Sequence, residues 1–177
     1  TNNTATYGGA VLWNGTYGDL NNCILSSNNA HNDGGAVYWN GTDGILSSSS
    51  FINNYAKYGG AIMWTGANSS LNGCNFTSNT ANGDGGAVCW SGSNSNLTNS
   101  NFLNNTANVD GGAIIWYGVN CSLSNCNFTK NTAGVNGGAI RWYSANSTIT
   151  NSYFISNSAN SQGGGVFWSG ANGTLIT

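Results

Sequence analysis

This 177-residue chain has few of the side chains that perform enzyme chemistry or electrostatic recognition. It contains no glutamate and no proline, one histidine, and three basic residues, Lys57, Lys130 and Arg141. Charged residues make up 5% of the sequence, against about a quarter in an average globular protein. The net charge of −2 and the absence of a basic stripe argue against nucleic acid binding and against a polybasic membrane patch.

Long apolar runs are also absent. No segment approaches the roughly 18 apolar residues of a membrane-spanning helix, so we expect no membrane insertion in this segment, and the first residues do not form a signal peptide. They match the tail of the repeat described below, which predicts a mature segment, either part of a longer protein or a subunit of a filament. Aromatic residues at 12% are too frequent for a disordered chain.

The dominant feature is a repeat of 25–26 residues. Each repeat begins with a glycine pair, and a tryptophan follows five residues after its first glycine. The tryptophans are Trp13, Trp39, Trp64, Trp90, Trp116, Trp142 and Trp168. Columns of leucine and phenylalanine come next, followed by an unbroken asparagine column. The asparagines are Asn28, Asn54, Asn79, Asn105, Asn131 and Asn157.

The repeat predicts an all-β fold. Three short apolar patches per repeat alternate with clusters of Gly, Asn and Ser, which favours three strands and intervening turns over helix. So small a unit cannot bury its apolar face alone, and the repeats must therefore stack. The sequence predicts a single domain over residues 1–177: a parallel, right-handed β-helix of about seven rungs, with like residues about 4.8 Å apart.

Side-chain alternation predicts which columns face inward. We expect the tryptophans to form an internal ladder and the asparagines to link their amides from rung to rung at a corner. The residue before each tryptophan should face outward, and we call this series the outer column. Its apolar members form a candidate lateral interface, unless a neighbouring loop or a glycan covers them. These members are Leu12, Tyr38, Met63, Ile115 and Phe167.

The five cysteines show no obvious disulfide partners. Cys23, Cys74 and Cys126 share one column two rungs apart, about 9.6 Å by the ladder spacing, which exceeds the roughly 7 Å limit for a disulfide. We expect free thiols, as would suit a reducing or anaerobic habitat. We predict no cofactor, no metal–thiolate site and no catalytic residue. Asp84 and Asp110 occupy equivalent positions in successive repeats, so we expect them to lie next to each other in the stack. They either bind Ca²⁺ or are solvated turn residues.

Asparagine-linked glycosylation motifs are abundant, partly because the composition favours them. Four of the motifs align at the turn after the tryptophan strand, and we consider these the best candidate glycosylation sites. The alternative is a corner asparagine ladder without sugar. The aligned residues, which we call the corner asparagines, are Asn68, Asn120, Asn146 and Asn172.

The repeat resembles known surface proteins. "GGAVYW" or "GGAIIW" followed by "FTSN", "FLNN" or "FISN" is similar to the repeats of the polymorphic outer-membrane proteins of chlamydiae. It is similar also to the adhesin-like surface proteins of gut methanogenic archaea. The resemblance covers the whole chain and implies a secreted β-helix displayed on the cell surface. It implies a role in adhesion or envelope structure and transfers no catalytic residue.

Two functions are compatible with the sequence. The first is a non-enzymatic extracellular stalk, fibre or adhesin module on the cell surface, which associates with itself head to tail or laterally and which contacts host or cell-surface glycans. The second is a carbohydrate-binding module on a fold like that of polysaccharide lyases, for which outward-facing tryptophans would supply a stacking platform. Enzymatic work would need paired carboxylates in a cleft, and no flat threonine array of the ice-binding kind is present.

Overall fold

The parallel β-helix predicted from the repeat is confirmed. The computed structural model describes residues 1–176, which form strands, turns and bends around a common axis. Each strand pairs in parallel with the equivalent strand of the next repeat, so that Trp64 lies over Trp39 and under Trp90. None of the described residues belongs to a helix that could span a membrane.

Four parallel sheets run along the coil, and we name each after its inward residue. The tryptophan sheet contains Val11–Trp13, Val37–Trp39, Ile62–Trp64, Val88–Trp90, Ile114–Trp116, Ile140–Trp142 and Val166–Trp168. The leucine sheet contains Asp19–Asn21, Ile45–Ser47, Ser70–Asn72, Asn96–Thr98, Ser122–Ser124, Thr148–Thr150 and Thr174–Ile176. The phenylalanine sheet contains Ile24–Ser26, Ser50–Ile52, Asn75–Thr77, Asn101–Leu103, Asn127–Thr129 and Tyr153–Ile155. The alanine sheet contains Thr4–Tyr7, Asn29–Asp33, Tyr55–Ala56, Thr80–Ala81, Thr106–Ala107, Thr132–Ala133 and Ser158–Ala159.

The alanine sheet adds a fourth strand to the three expected in each rung. Most of its strands contain only two residues, such as Thr80–Ala81, so they show no alternation that a sequence pattern could reveal. The strand follows the asparagine column directly, and its alanine points inward and is fully buried at Ala81. Each rung is therefore four-sided.

Single residues with left-handed backbone make the corners. Between the leucine and phenylalanine sheets, the corner residue has a φ of 46–65° in every rung described. Asparagine, serine and glycine fill this position, and asparagine and glycine adopt the conformation at low cost. The corner residues are Asn22, Ser48, Gly73, Asn99, Asn125 and Asn151.

The glycine pair meets two separate demands at the corner before the tryptophan sheet. Gly85 has a φ of 67°, and a Cβ added to Gly86 would lie 2.0 Å from the carbonyl oxygen of Gly112 in the next rung. The first glycine therefore permits the turn, and the second permits close stacking of successive turns.

One hydrophobic core extends along the axis of the coil. The tryptophan, leucine and phenylalanine columns supply most of it, and the rings of the five phenylalanines stack at 4.7–5.0 Å between centroids. Each side chain packs on its own copies above and below, so every interior rung has nearly the same environment.

Candidate functional site on the coil surface

The structure places all seven tryptophans in one internal stack. Centroids of successive indoles are 4.5–5.0 Å apart, and the ring planes lie within 3–13° of each other. The five middle indoles have no exposed surface, while Trp13 and Trp168 are partly exposed. An outward-facing tryptophan platform for glycans is therefore wrong, because the rings are sealed inside the coil.

Burial of the indoles has a polar cost. The Nε1 atoms of Trp39, Trp64, Trp90 and Trp116 have no hydrogen-bond partner among the described residues. An unsatisfied buried donor costs about 1–3 kcal/mol. Burying about 200 Å² of indole at about 25 cal/mol per Å² contributes roughly 5 kcal/mol, which outweighs that cost. Trp142 avoids it, since its Nε1 donates to Ser144 Oγ at 2.6 Å.

The asparagine column forms a buried hydrogen-bond ladder. Asn105 Oδ1 accepts from the backbone N–H and the side-chain amide of Asn79, both at 3.0 Å. Asn105 Nδ2 donates to Asn131 Oδ1 and to the carbonyl of Phe76, again at 3.0 Å. The same pattern relates Asn28, at 1% exposure, to Asn54. The ladder thus satisfies backbone groups that the corner leaves unpaired, and it belongs to the framework rather than to a surface site.

The outer column is not the continuous exposed stripe that the sequence predicts. Leu12 is 51% exposed, but Cys89 and Ile115 are only 4% and 1% exposed. Tyr38, Met63 and Phe167 are half-buried. Of the predicted interface members only Leu12 lies open, and Ile115 is not available to a partner.

The glycine turn lies against the outer column. A Cβ added to Gly163 would lie 2.7 Å from the Cβ atom of Phe167, which belongs to that column. The glycine turn therefore folds back against the start of the tryptophan strand, next to the outer column. At the first rungs the Tyr7 ring adds further cover, since it meets the ring of Tyr38 edge-on at 5.6 Å.

A buried ion pair lies under this cover, and sequence reasoning did not identify it. Arg141 Nε is 3.7 Å from Asp110 Oδ2, and both residues are 6% exposed. The guanidinium lies between two rings, 3.6 Å from the centroid of Tyr143 and 4.1 Å from that of Phe167. The sequence did contain a signal for this pair. Arg141 is the only charged residue in the outer column, and Asp110 directly precedes the glycine pair of the preceding repeat.

The adjacent acids at the glycine corner are used within the fold. Asp84 Oδ1 accepts from the backbone N–H of Asp110, and Asp110 Oδ1 accepts from the backbone and side chain of Asn136. Tyr143 donates its hydroxyl to Asp110 Oδ2 at 3.1 Å. Burial raises the pKa of the Asp84 carboxyl. No group of three or more His, Cys, Asp or Glu side chains able to hold a metal occurs in residues 1–176.

All five cysteines are free thiols in the structure. Cys74 replaces serine in a polar column: its backbone N–H donates to Ser100 Oγ at 3.1 Å, and its sulfur accepts from the backbone N–H of Ser49 at 3.5 Å. Burial raises the pKa of the Cys74 and Cys126 thiols to about 11. These thiols are therefore protonated and unreactive at neutral pH, whereas Cys23 is partly exposed.

The corner asparagines lie on an exposed edge of the coil. Asn68, Asn120, Asn146 and Asn172 have φ values of 54–56° and exposed side chains. Asn172 Nδ2 donates to Asn146 Oδ1 at 2.9 Å, so the two side chains form a short external ladder. The edge is sterically open to an attached sugar, as a glycosylation site requires.

A concavity with a defined lining lies where the leucine sheet turns into the phenylalanine sheet near the last rungs. Its volume is about 450 Å³, within the range of about 300–1,000 Å³ usual for small-molecule sites. We call it the corner pocket. It is lined by Asn125, Asn127, Asn151, Ser152 and Tyr153.

Comparison with known families finds one similarity. The Chlamydia polymorphic membrane protein (Chlamydia_PMP) repeat matches residues 48–63, 73–89 and 125–141, together less than a third of the chain. Each matched segment passes through a phenylalanine strand, an asparagine of the ladder and a glycine pair, and ends in the outer column. The similarity thus covers the corner-forming half of the rung. No curated protein and no solved structure matches the chain significantly.

Proposed function

We propose that this chain is a non-enzymatic structural and adhesive element displayed outside the cell, where its β-helix forms a stalk or fibre. The observation that supports this most strongly is the continuous core, in which each side chain packs on its own copies along the axis. Such a core permits growth by whole rungs without any new type of contact. In this proposal the length of the β-helix and its display outside the cell give the protein its role, and no single binding cleft is required.

The surface chemistry supports the same role. Asparagine, serine and threonine cover most of the outside, and the 5% of charged residues give the rod little long-range field. The Asp84 and Asp110 carboxylates accept hydrogen bonds from the following rung, so they are occupied within the framework. We therefore assign them a structural role and assign no catalytic role to the chain.

Display on the cell surface is supported by similarity alone. The matched repeat is named for polymorphic membrane proteins of Chlamydia. The sequence also resembles adhesin-like proteins of methanogenic archaea, which would suit an anaerobic archaeal source and its free thiols. We include glycosylation of the corner asparagines in this proposal, because their edge is exposed.

We further propose that additional rungs cover both end faces of the stack. Trp13 and Trp168 are half-buried, whereas the five indoles between them have no exposure. Rungs of the same chain or of a second copy would bury these rings equally well, and the second case gives a head-to-tail filament. Electron micrographs of the purified protein distinguish these alternatives. Only stacking between copies gives uniform fibres from a chain of this length.

The rod hypothesis is tested by removing one whole rung. Deletion of residues 85–110 joins Asp84 to Gly111 and preserves the Asp-Gly sequence of the junction, because residues 85 and 111 are both glycine. The two turns are stacked, since the backbone N–H of Gly85 bonds to the carbonyl of Asp110. We expect a folded protein, shorter by about 4.8 Å in solution X-ray scattering. The matched control deletes residues 85–97, which puts every column out of register, and we expect it to fail to fold.

Two outcomes would contradict the proposal. If the in-register deletion unfolds the protein as the control does, the rungs are not interchangeable units. If immunolabelling of intact source cells detects the protein only after the cells are opened, display on the surface is wrong. Adhesion is measured separately, by attachment of beads coated with the intact protein or with the shortened one.

A further inference from the structure

The corner pocket interrupts an otherwise regular surface ladder. On the outside of the phenylalanine sheet, Asn101 Nδ2 donates to Asn75 Oδ1 at 3.0 Å, and Asn127 Nδ2 donates to Asn101 Oδ1 at 2.8 Å. The next residue of this column is Tyr153 instead of asparagine. The ladder therefore ends at Asn127, whose Oδ1 has no partner among residues 1–176.

Several polar groups around the pocket are similarly unused. The side-chain amides of Asn125 and Asn151 and the hydroxyl of Tyr153 make no hydrogen bond to the described part of the chain. Ser152, by contrast, is fully used, since its Oγ accepts from the backbone N–H of Cys126 and donates to the carbonyl of Thr150. The pocket thus presents the amides of Asn125 and Asn151, the Oδ1 atom of Asn127 and the hydroxyl of Tyr153, all free to bind a ligand.

The lining also defines which ligand chemistry fits. It contains no charged residue, so it supplies no counter-charge for a phosphate, sulfate or carboxylate. The Tyr153 side chain is 66% exposed and offers an aromatic surface for an apolar face. An amide group both donates and accepts, which suits vicinal hydroxyl groups that do the same. A sugar ring combines an apolar C–H face with such hydroxyls.

We propose that the corner pocket binds a neutral saccharide. The ring of Tyr153 packs against the C–H face of one sugar, and the amides of Asn125, Asn127 and Asn151 exchange hydrogen bonds with its hydroxyls. This site goes beyond the structural role and is independent of it, because all four side chains lie on the surface and contribute nothing to the stacked core.

An array of oligosaccharides tests the proposal. Its neutral members contain glucose, galactose, mannose or N-acetylhexosamine, and matched members contain uronic acid or sulfate. We expect the intact protein to bind at least one neutral member. The affinity for that sugar is then measured by titration calorimetry. Tyr153→Ala should weaken binding at least tenfold, while Tyr153→Phe keeps affinity within about threefold. Tyr17→Ala is the matched control, since Tyr17 is 80% exposed elsewhere on the coil and should be neutral.

Three results would overturn the inference: no binding to any neutral sugar at millimolar concentration, preference for the acidic members, or equal affinity of the Tyr153→Ala variant and the parent. Unchanged circular dichroism and unfolding midpoint show that the variant remains folded. Solution scattering of the same variant should give the parent length, so loss of sugar binding does not count against the rod.

Discussion

The buried asparagine ladder allows a quantitative test of how the corners are held. Replacing Asn105 by alanine removes two acceptor contacts to Asn79 and two donor contacts, to the carbonyl of Phe76 and to Asn131 Oδ1, each at 3.0 Å. Asn131 Oδ1 still accepts from the backbone N–H of residue 105, so the other three contacts leave groups without that partner. The site is fully buried, so water cannot replace the lost partners. Three orphaned groups at about 1–3 kcal/mol each predict a loss of at least about 3 kcal/mol in the free energy of unfolding.

A matched control lies in the same rung. Asn101 also takes part in a side-chain ladder, with Asn75 and Asn127, but its side chain is exposed and leaves no buried group unpaired. Asn101→Ala should therefore change the free energy of unfolding by no more than about 0.5 kcal/mol. The two variants lose the same atoms, and they differ only in burial and in the groups left without partners.

The assay is equilibrium unfolding in urea, followed by circular dichroism and tryptophan emission. The urea midpoints of the parent and each variant are compared only where their m-values agree, because the difference then measures the change in the free energy of unfolding. Equal small losses for Asn105→Ala and Asn101→Ala would refute the reasoning, because the internal ladder would then contribute no more than the external one.

Four further predictions concern the glycine corner, the ion pair, the reactivity of the thiols and the pH dependence of stability. Gly112→Ala should destabilise the fold by about 3 kcal/mol, since its Cβ would lie 2.1 Å from the Gly138 carbonyl oxygen. Arg141→Ile alone should cost about 3–5 kcal/mol, because it leaves the Asp110 carboxylate buried and unpaired, whereas the double change with Asp110→Asn should be nearly neutral. Thiol reagents at pH 8 should label Cys23 and spare Cys74. Because burial raises the pKa of the Cys74 thiol to about 11, stability should fall as the pH rises from about 9 towards 11.

These predictions have their own controls. Gly15→Ala should be tolerated, because its Cβ would be 3.6 Å from Trp13 Nε1, an ordinary contact. The glycine argument is wrong if both glycine variants unfold at the same urea concentration. The ion-pair argument is wrong if the double variant unfolds as easily as Arg141→Ile, and the burial argument is wrong if the native protein shows five reactive thiols.

The fold could be predicted because the same pattern of residues recurs in every rung. Seven tryptophans spaced 25–26 residues apart predict both the parallel register and the direction of the side chains, and the indoles do lie over one another. The polar corner between the leucine and phenylalanine sheets was equally visible, since asparagine, serine and glycine recur there and have left-handed backbone.

The alanine sheet and the cover over the outer column were not visible, for physical reasons. A strand such as Thr106–Ala107 is too short to show alternation. Ile115 is 1% exposed although its column alternates with the inward residues, and no local pattern predicts that burial. Apolar residues facing away from a core are therefore not necessarily exposed, since a solenoid turn can fold back on its own strand.

The corner pocket and the ion pair were missed because both depend on departures from the repeat. Tyr153 replaces an asparagine that would have continued an external ladder, and Arg141 replaces an apolar side chain. In a repeat sequence the recurring residues predict the framework, whereas the pocket and the ion pair depend on residues that differ from the rest of their column. Aligning the rungs column by column shows where such exceptions fall.

The central claim is that the tryptophans form a single internal column, and nuclear Overhauser contacts between indole rings test it most directly. At 18.2 kDa the chain suits isotope-labelled spectroscopy with assigned tryptophan side chains. The ring separations of 4.5–5.0 Å predict contacts between each tryptophan and its neighbours in the adjacent rungs, giving six successive pairs. Indole protons that contact only other residue types, or tryptophans that pair out of this order, would contradict the account.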